Sequence, residues 1–333
     1  MNNAMILLTP VLVFILVGLF AFVGCASFTE AKEEEKKPPE QTSPPDQPPV
    51  TPPDQPPVTP PTKPLTYIET VKATPGFTAI WPLNETIGKV AAVDGMPSTA
   101  NGTYTTATGA DPAPGTYVLG KAGVLFPKDN QDFAAEFSGG EAFIEVPFIP
   151  AFNPGPAVPG FSVELWVKPD PGMGGDRHVV VSSHHFDSMT SQQGYEIGLL
   201  KVPGQQQQQI YARVYGGSAS LQTEISVQPD EGLATDWRHI VFRYGFIAGT
   251  GYVIRLRVQV INSAKLFEAQ SAAGVVYEQV TMAKQSTLRF AGSHLPPPGT
   301  SAVFAGRLDN IAFYNALILD GDINTHFSMA PSI

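Results

Sequence analysis

Five side chains in two strand-like stretches have the chemistry best suited to holding a ligand. "IYARVY" sets Tyr211, Arg213 and Tyr215 on one face, opposite Ile210, Ala212 and Val214. "YVIRLRVQVI" sets Arg255, Arg257 and Gln259 opposite Tyr252, Ile254, Leu256, Val258 and Val260. Aromatic rings stack on sugar faces, and guanidinium groups reach hydroxyls or carboxylates. One sheet face combining Tyr211, Arg213, Tyr215, Arg255 and Arg257 would therefore suit a glycan, particularly an acidic one. The competing reading is a wet sheet face held by cross-strand cation–π pairs.

The carboxylates point away from catalysis. Retaining glycosidases need two carboxyl groups about 5–5.5 Å apart, and inverting ones about 6.5–9.5 Å. Residues two apart on a strand share a face at about 6.6 Å, yet no Glu-x-Asp-x-Glu triplet occurs. Glu141 and Glu145 share a face at about 13 Å, and Glu164 in "VELWV" has no acidic residue two positions away. Hydrolysis would need carboxylates converging from separate strands. His178 and "HHFD" at 184–187 raise the question of a metal centre. Adjacent histidines on a strand point to opposite faces, so His184 and His185 share an ion only if they lie in a loop.

The elements that must position these residues are strands. "FSVELWV" puts Phe161, Val163, Leu165 and Val167 on one face. "WRHIVFRY" sets Arg238, Ile240, Phe242 and Tyr244 against Trp237, His239, Val241 and Arg243. No stretch of ten residues shows a clean helical period, and glycine, proline and asparagine clusters break the alternation repeatedly. The expected fold is an all-β antiparallel sandwich over residues 65–333. "QQQQQ" at 205–209 reads as a hairpin tip rather than an aggregation zipper. Of the net charge of −10, −7 belongs to residues 65–333 (16 basic, 23 acidic), with no basic stripe. That balance excludes nucleic acid as a partner.

The first 64 residues differ in kind. Residues 1–27 include an uncharged apolar run of about 20 residues, long enough to span a bilayer or to serve as a signal h-region. "FVGC" at 22–25 resembles the lipobox of bacterial lipoproteins, which implies lipidation of Cys25. Uncleaved helix and cleaved lipoprotein both stand as readings of this anchor. Because Cys25 is the only cysteine, the folded region has no disulfide, cysteine zinc site or thiol nucleophile. Residues 28–64 are charged and then proline-rich, with PPDQPPVT repeated at 44–51 and 52–59. A polyproline II spacer is expected in preference to an SH3-type ligand, reaching on the order of 80 Å at about 3.1 Å per residue.

The order of "TAIWPLNET", "AAEFSGGEAFIEVP", "FSVELWVKP", "GYEIGL", "WRHIVFRY", "LRFAGS" and "FAGRLDNIAFYNALILDGDINTHF" resembles the laminin G-like, concanavalin A-like jelly-roll family. The resemblance spans roughly Thr70 to Phe327 and implies two antiparallel sheets of six or seven strands, one concave and one convex. It also implies a structural calcium ion held by the Asp309 carboxylate, with carbonyl donors around Trp81 and Gly139. Calcium takes six to eight oxygens, mostly uncharged, so such a set is chemically reasonable. Otherwise Asp309 caps a turn. "ALILDGDINTHF" should form a closing turn and short helix capped by Asp320 or Asp322. After "YVIRLRV", "INSAKLFEAQSAAG" replaces the tight hairpin common in the family and should be longer and irregular.

Together these features lead to an expectation of a non-enzymatic module displayed outside the cytoplasm on a membrane anchor. Its partner would be a glycan or a surface protein. A structural or attachment component of an envelope or virus particle is the second class, and a glycan hydrolase the third.

Overall fold

The computed structural model describes residues 65–331 except 130–131, 156–158, 174–176, 189–190, 202–207, 219, 230–235, 264, 282, 285, 295–300 and 303. The anchor, Cys25 and the proline-rich stretch lie outside the described residues. Among the described residues no helix is long and apolar enough to cross a membrane.

Alternating apolar residues build two sheets that face each other. One has eight strands. Its path runs Leu266–Gln270, Gly251–Val260, Arg238–Ile247, Gly160–Pro169, Ala305–Tyr314, Phe133–Ser138, Tyr117–Ala122, with Phe77–Trp81 paired to the far half of Ala305–Tyr314. The other has ten, running Gln222–Val227, Gln208–Gly216, Ser191–Lys201, Arg177–Ser182, Leu288–Phe290, Phe143–Val146, Gly102–Thr105, Val90–Ala91. His185–Ser188 pairs with Ser191–Lys201, and Ser301–Ala302 lies parallel to Arg177–Ser182; every other pairing is antiparallel. The strand counts exceed the six or seven implied by the resemblance because short edge strands extend both sheets.

The side-chain period places the predicted apolar faces inside. Phe161, Val163, Leu165, Val167, Ile240, Phe242, Ile254, Leu256, Ile210, Ala212 and Val214 all lie in the core between the sheets. A second core lies on the outer face of the eight-stranded sheet, where Trp166, Trp237, Val241 and Tyr314 meet two helices. The first, α1, is Tyr67–Ala73; it was not expected from the strand pattern. Its signal is local, a capping box in which Thr66 Oγ1 accepts the Glu69 amide and Glu69 Oε2 accepts the Thr66 amide. The second, α2, is Asp320–Ser328. Its N-cap is Leu319 with no side-chain cap, because Asp320 sits one residue inside the helix and accepts instead from Arg243.

The region after Val260 departs from its expectation. Gln259 pairs with Leu266 around Asn262, which takes a left-handed φ of 72°, so the hairpin itself is short. Irregular backbone comes later, between Gln270 and Leu288. Lys201 pairs with Gln208, so the segment holding most of the glutamine tract joins two antiparallel strands; residues 202–207 are outside the described set.

Candidate functional site

The five candidate ligand residues do not share a face. Tyr211, Arg213 and Tyr215 lie on the outer side of the ten-stranded sheet, and Arg255 and Arg257 on the eight-stranded sheet. Each group keeps the alternation read from its own strand, but the strands belong to opposite layers.

The tyrosines are sealed. Gly198 is paired across from Tyr211, and a Cβ there would lie 2.6 Å from the Tyr211 ring, so only glycine lets this ring lie flat on the neighbouring strand. Tyr211 donates to Glu196 Oε1 at 3.1 Å, and Tyr215 donates to Glu196 Oε2. The Arg177 guanidinium covers the Tyr211 ring at 4.2 Å, and the His184 ring stacks on Tyr215 at 3.9 Å. Exposures of 0% and 1% leave no aromatic platform for a sugar. Arg213 and Arg177 both bind Glu224. This face is a two-layer polar network, the cross-strand alternative to a binding surface. His184 and His185 diverge: His184 is held neutral, its pKa lowered to about 3 by burial, then by Arg213, whereas His185 meets Asp187 at 2.8 Å. Among the described residues His178, His184 and His185 belong to no group of three His, Cys, Asp or Glu side chains placed to hold a metal ion.

Asp309 is fully buried in Ala305–Tyr314. Its Oδ2 accepts the Val124 amide at 2.9 Å, and its Oδ1 accepts Asn310 Nδ2 at 2.6 Å. The donor set implied by resemblance does not assemble. Ala305 pairs with Ser138 and Leu308 with Ala135, so Gly139 lies five residues beyond the level of Asp309, about 16 Å along the strand. Trp81 is nearer: it pairs with Ile311, and the Asn310 amide meets the Pro82 carbonyl at 3.5 Å. The polar groups beside Asp309 belong instead to Asp132, through its carboxylate, and to Asn310, through its amide nitrogen. A Cβ on Gly123 would fall 2.6 Å from Asp309 Oδ2 and 2.8 Å from Asp132 Oδ2. Burial, then the charge of Asp132, holds the Asp309 pKa well above the ordinary value. Asp132 is pushed up to about 6, mainly by burial. Asn310 Oδ1 is buried with no hydrogen-bond partner. The two facing carboxylates fit a hard cation as oxygen donors.

Sequence reading missed a buried polar cluster around Glu164. Glu164 Oε1 accepts from Tyr67 (3.0 Å) and His239 Nε2 (2.6 Å), and Glu164 Oε2 from Tyr314 (2.6 Å). His326 Nδ1 lies 3.0 Å from both oxygens, and its Nε2 meets Thr74 Oγ1 at 2.9 Å. Burial disfavours the charge, but His326 and His239 outweigh it and hold Glu164 well below the carboxylate range. Burial likewise opposes charge on His326, yet Glu164 raises its pKa; His239 is lowered by burial. The cluster sets one carboxylate against two imidazoles beneath α1 and α2, with protonation favoured on His326 and disfavoured on His239. The available signal was a charged residue inside an otherwise apolar strand.

Arg255 does line an open feature, whereas Arg257 lies beside it and is 4% exposed. A depression of about 370 Å³ is bordered by Arg243, Arg255, Leu256, Glu268, Gln270 and Asp320. Arg243 and Arg255 stand directly opposite in the strand register. Asp320 Oδ1 accepts from Arg243 Nη1 at 2.7 Å and from Arg257 Nη1 at 3.4 Å. Arg257 also donates to Asn324, and Arg255 Nε donates to Gln270 at 2.6 Å.

No family model and no curated protein matches the chain. Solved structures similar to it include the botulinum neurotoxin serotype D/C binding domain (TM-score 0.46, 11% identity, 78% of this chain and 53% of that one). Tailspike protein 2 of an Escherichia coli bacteriophage gives a TM-score of 0.48 at 10% identity over 69% of this chain and 28% of that one. The CBM40 of a Ruminococcus gnavus sialidase gives 0.36 at 5% over 51% and 83%. The chain therefore spans about half of the toxin binding domain and under a third of the tailspike.

Proposed function

We propose that residues 65–333 form a binding module that recognises a glycan or a surface protein, displayed outside the cytoplasm by an N-terminal membrane anchor and a proline-rich spacer. The observation that carries this reading is the arginine-lined depression on the eight-stranded sheet, an open concavity with convergent polar groups. The anchor and spacer rest on the apolar run and the repeated proline octapeptide. The module is read as non-catalytic because the carboxylates Glu145, Glu196 and Glu224 are each engaged by arginine or tyrosine donors of the fold. A calcium ion, with its carboxylate donors revised to Asp309 and Asp132, is the proposed structural cofactor.

Glycan-array binding of purified residues 65–333, followed by titration of the best ligand, tests the proposal. Saturable binding is expected. A domain that binds no glycan and instead co-purifies stoichiometrically with a protein of its own envelope would replace this reading with a structural one.

A further inference from the structure

Resting on that reading, we infer that the ligand carries an anionic group, a carboxylate or sulfate on a saccharide, which enters the Arg243–Arg255 fork where the protein's own Asp320 now serves as a stand-in. Like charges directly opposite on paired strands destabilise a sheet, and Arg243 and Arg255 occupy such a pair. The fold keeps Arg257 beside them as well. Against these three guanidinium groups the described residues supply two carboxylates, Asp320 and Glu268, the latter 3.7 Å from Arg257. Arg255 finds a neutral partner, Gln270.

Hydrogen-bonding capacity is also left over. Arg243 and Arg257 are 7% and 4% exposed, and the Nε of each has no hydrogen-bond partner. Buried donors of this kind are costly unless something meets them. The Asp320 carboxylate is the movable piece: its side chain is 60% exposed, and it stands at the start of α2 rather than in a strand. Burial works against its charge, but Arg243 and then Arg257 hold its pKa below the ordinary value.

The surroundings suit a saccharide. A second hollow of about 170 Å³ shares Arg243, Arg255 and Asp320, and its remaining wall is apolar, from Ile247, Val253, Leu317 and Leu319. Leu319 is 66% exposed there. An anionic head with an apolar ring face fits this combination, because guanidinium binds oxyanions in a bidentate fork and sugar rings cover apolar surface.

The test is titration of residues 65–333 with glucuronate, N-acetylglucosamine 6-sulfate, glucose and acetate, followed by the arginine Nε–Hε resonances in NMR. Glucuronate or the sulfated sugar should shift the Arg243 and Arg255 signals, with glucose and acetate far weaker; which anion binds better separates carboxylate from sulfate. Arg255→Gln should weaken anionic-sugar binding about tenfold or more, the scale of one charge-assisted bond. Asp320→Asn should tighten it several-fold, and added salt should weaken it. Arg255 is partly exposed, so its variant is expected to fold, which the unchanged remaining spectrum would verify. Equal affinity for glucose and glucuronate, unchanged binding by Arg255→Gln, or no anion-dependent shift would overturn the inference. A neutral array ligand that Arg255→Gln still binds would leave the module's function standing without it.

Discussion

Asp309 lies in a strand whose register separates it from Gly139 and sets its carboxylate beside that of Asp132. An aspartate inside a strand buried on both faces cannot be solvated, so it must find donors or a cation. The pair it makes with Asp132 depends on the loop that follows Tyr117–Ala122, where Gly123 leaves room for both carboxylates. Calcium bound only by the folded state would stabilise it by about 2.7 kcal/mol at a hundred times the dissociation constant. We predict that chelator lowers the melting temperature of residues 65–333 and that calcium restores it. Asp309→Asn and Asp132→Asn should each lose this response. Wild-type melting indifferent to both additions would leave Asp309 as a loop fastener through Val124.

At the scale of elements, two short helices need a reason to stay on a sheet. α1 has seven residues and α2 nine, both below the length at which helices persist alone. Glu164 supplies the fastening, joining Tyr67 of α1, His326 of α2 and the strands bearing His239 and Tyr314. Breaking a buried ion pair by removing one charge costs about 3–5 kcal/mol, so Glu164→Gln should lower denaturant stability by that order. The pH dependence has two limbs. Glu164 has a depressed folded pKa, so its contribution is present above its unfolded value of about 4.3 and is lost as pH falls through the folded one. His326 has a raised folded pKa, so its contribution is full below about 6.5 and is lost as pH rises through the folded one. The wild-type advantage over Glu164→Gln should therefore peak near pH 5–6. A difference that stays flat from pH 3 to pH 9 would show that the cluster is held by neutral hydrogen bonds alone.

At the scale of the whole fold, the described residues form two cores on either side of one sheet, the sandwich interior and the layer beneath the helices. Both are closed by residues from Tyr67 onward. We predict that residues 65–333 fold alone, giving a β-type far-UV circular dichroism spectrum and a cooperative melt. A start moved to residue 75 removes α1, uncovers Phe126 and Trp166 and takes from the Glu164 cluster the donor Tyr67 and the Thr74 hydroxyl that meets His326. That shorter chain should melt well below the longer one; equal melting temperatures would mean that α1 contributes no stability.

By itself the sequence determined the strand faces. Alternation in "FSVELWV", "IYARVY", "WRHIVFRY" and "YVIRLRVQVI" separated the two faces of each strand, because a period of two is a local property of extended backbone. It also held the start of α1 in Thr66 and Glu69, a signal unused among so many strand patterns. Which outward faces belong together was decided only by the tertiary structure. Tyr211 and Arg257 sit on strands of similar pattern, yet one sheet buries its tyrosines under arginine and histidine while the other opens a depression between arginines. The carboxylate facing Asp309 was likewise beyond local reading, since strand register puts Gly139 away from Asp309 while Asp132 comes to it across Gly123. Period and capping are written within a few neighbouring residues. Layer, register and the convergence of charges arise from pairings between segments tens to hundreds of residues apart.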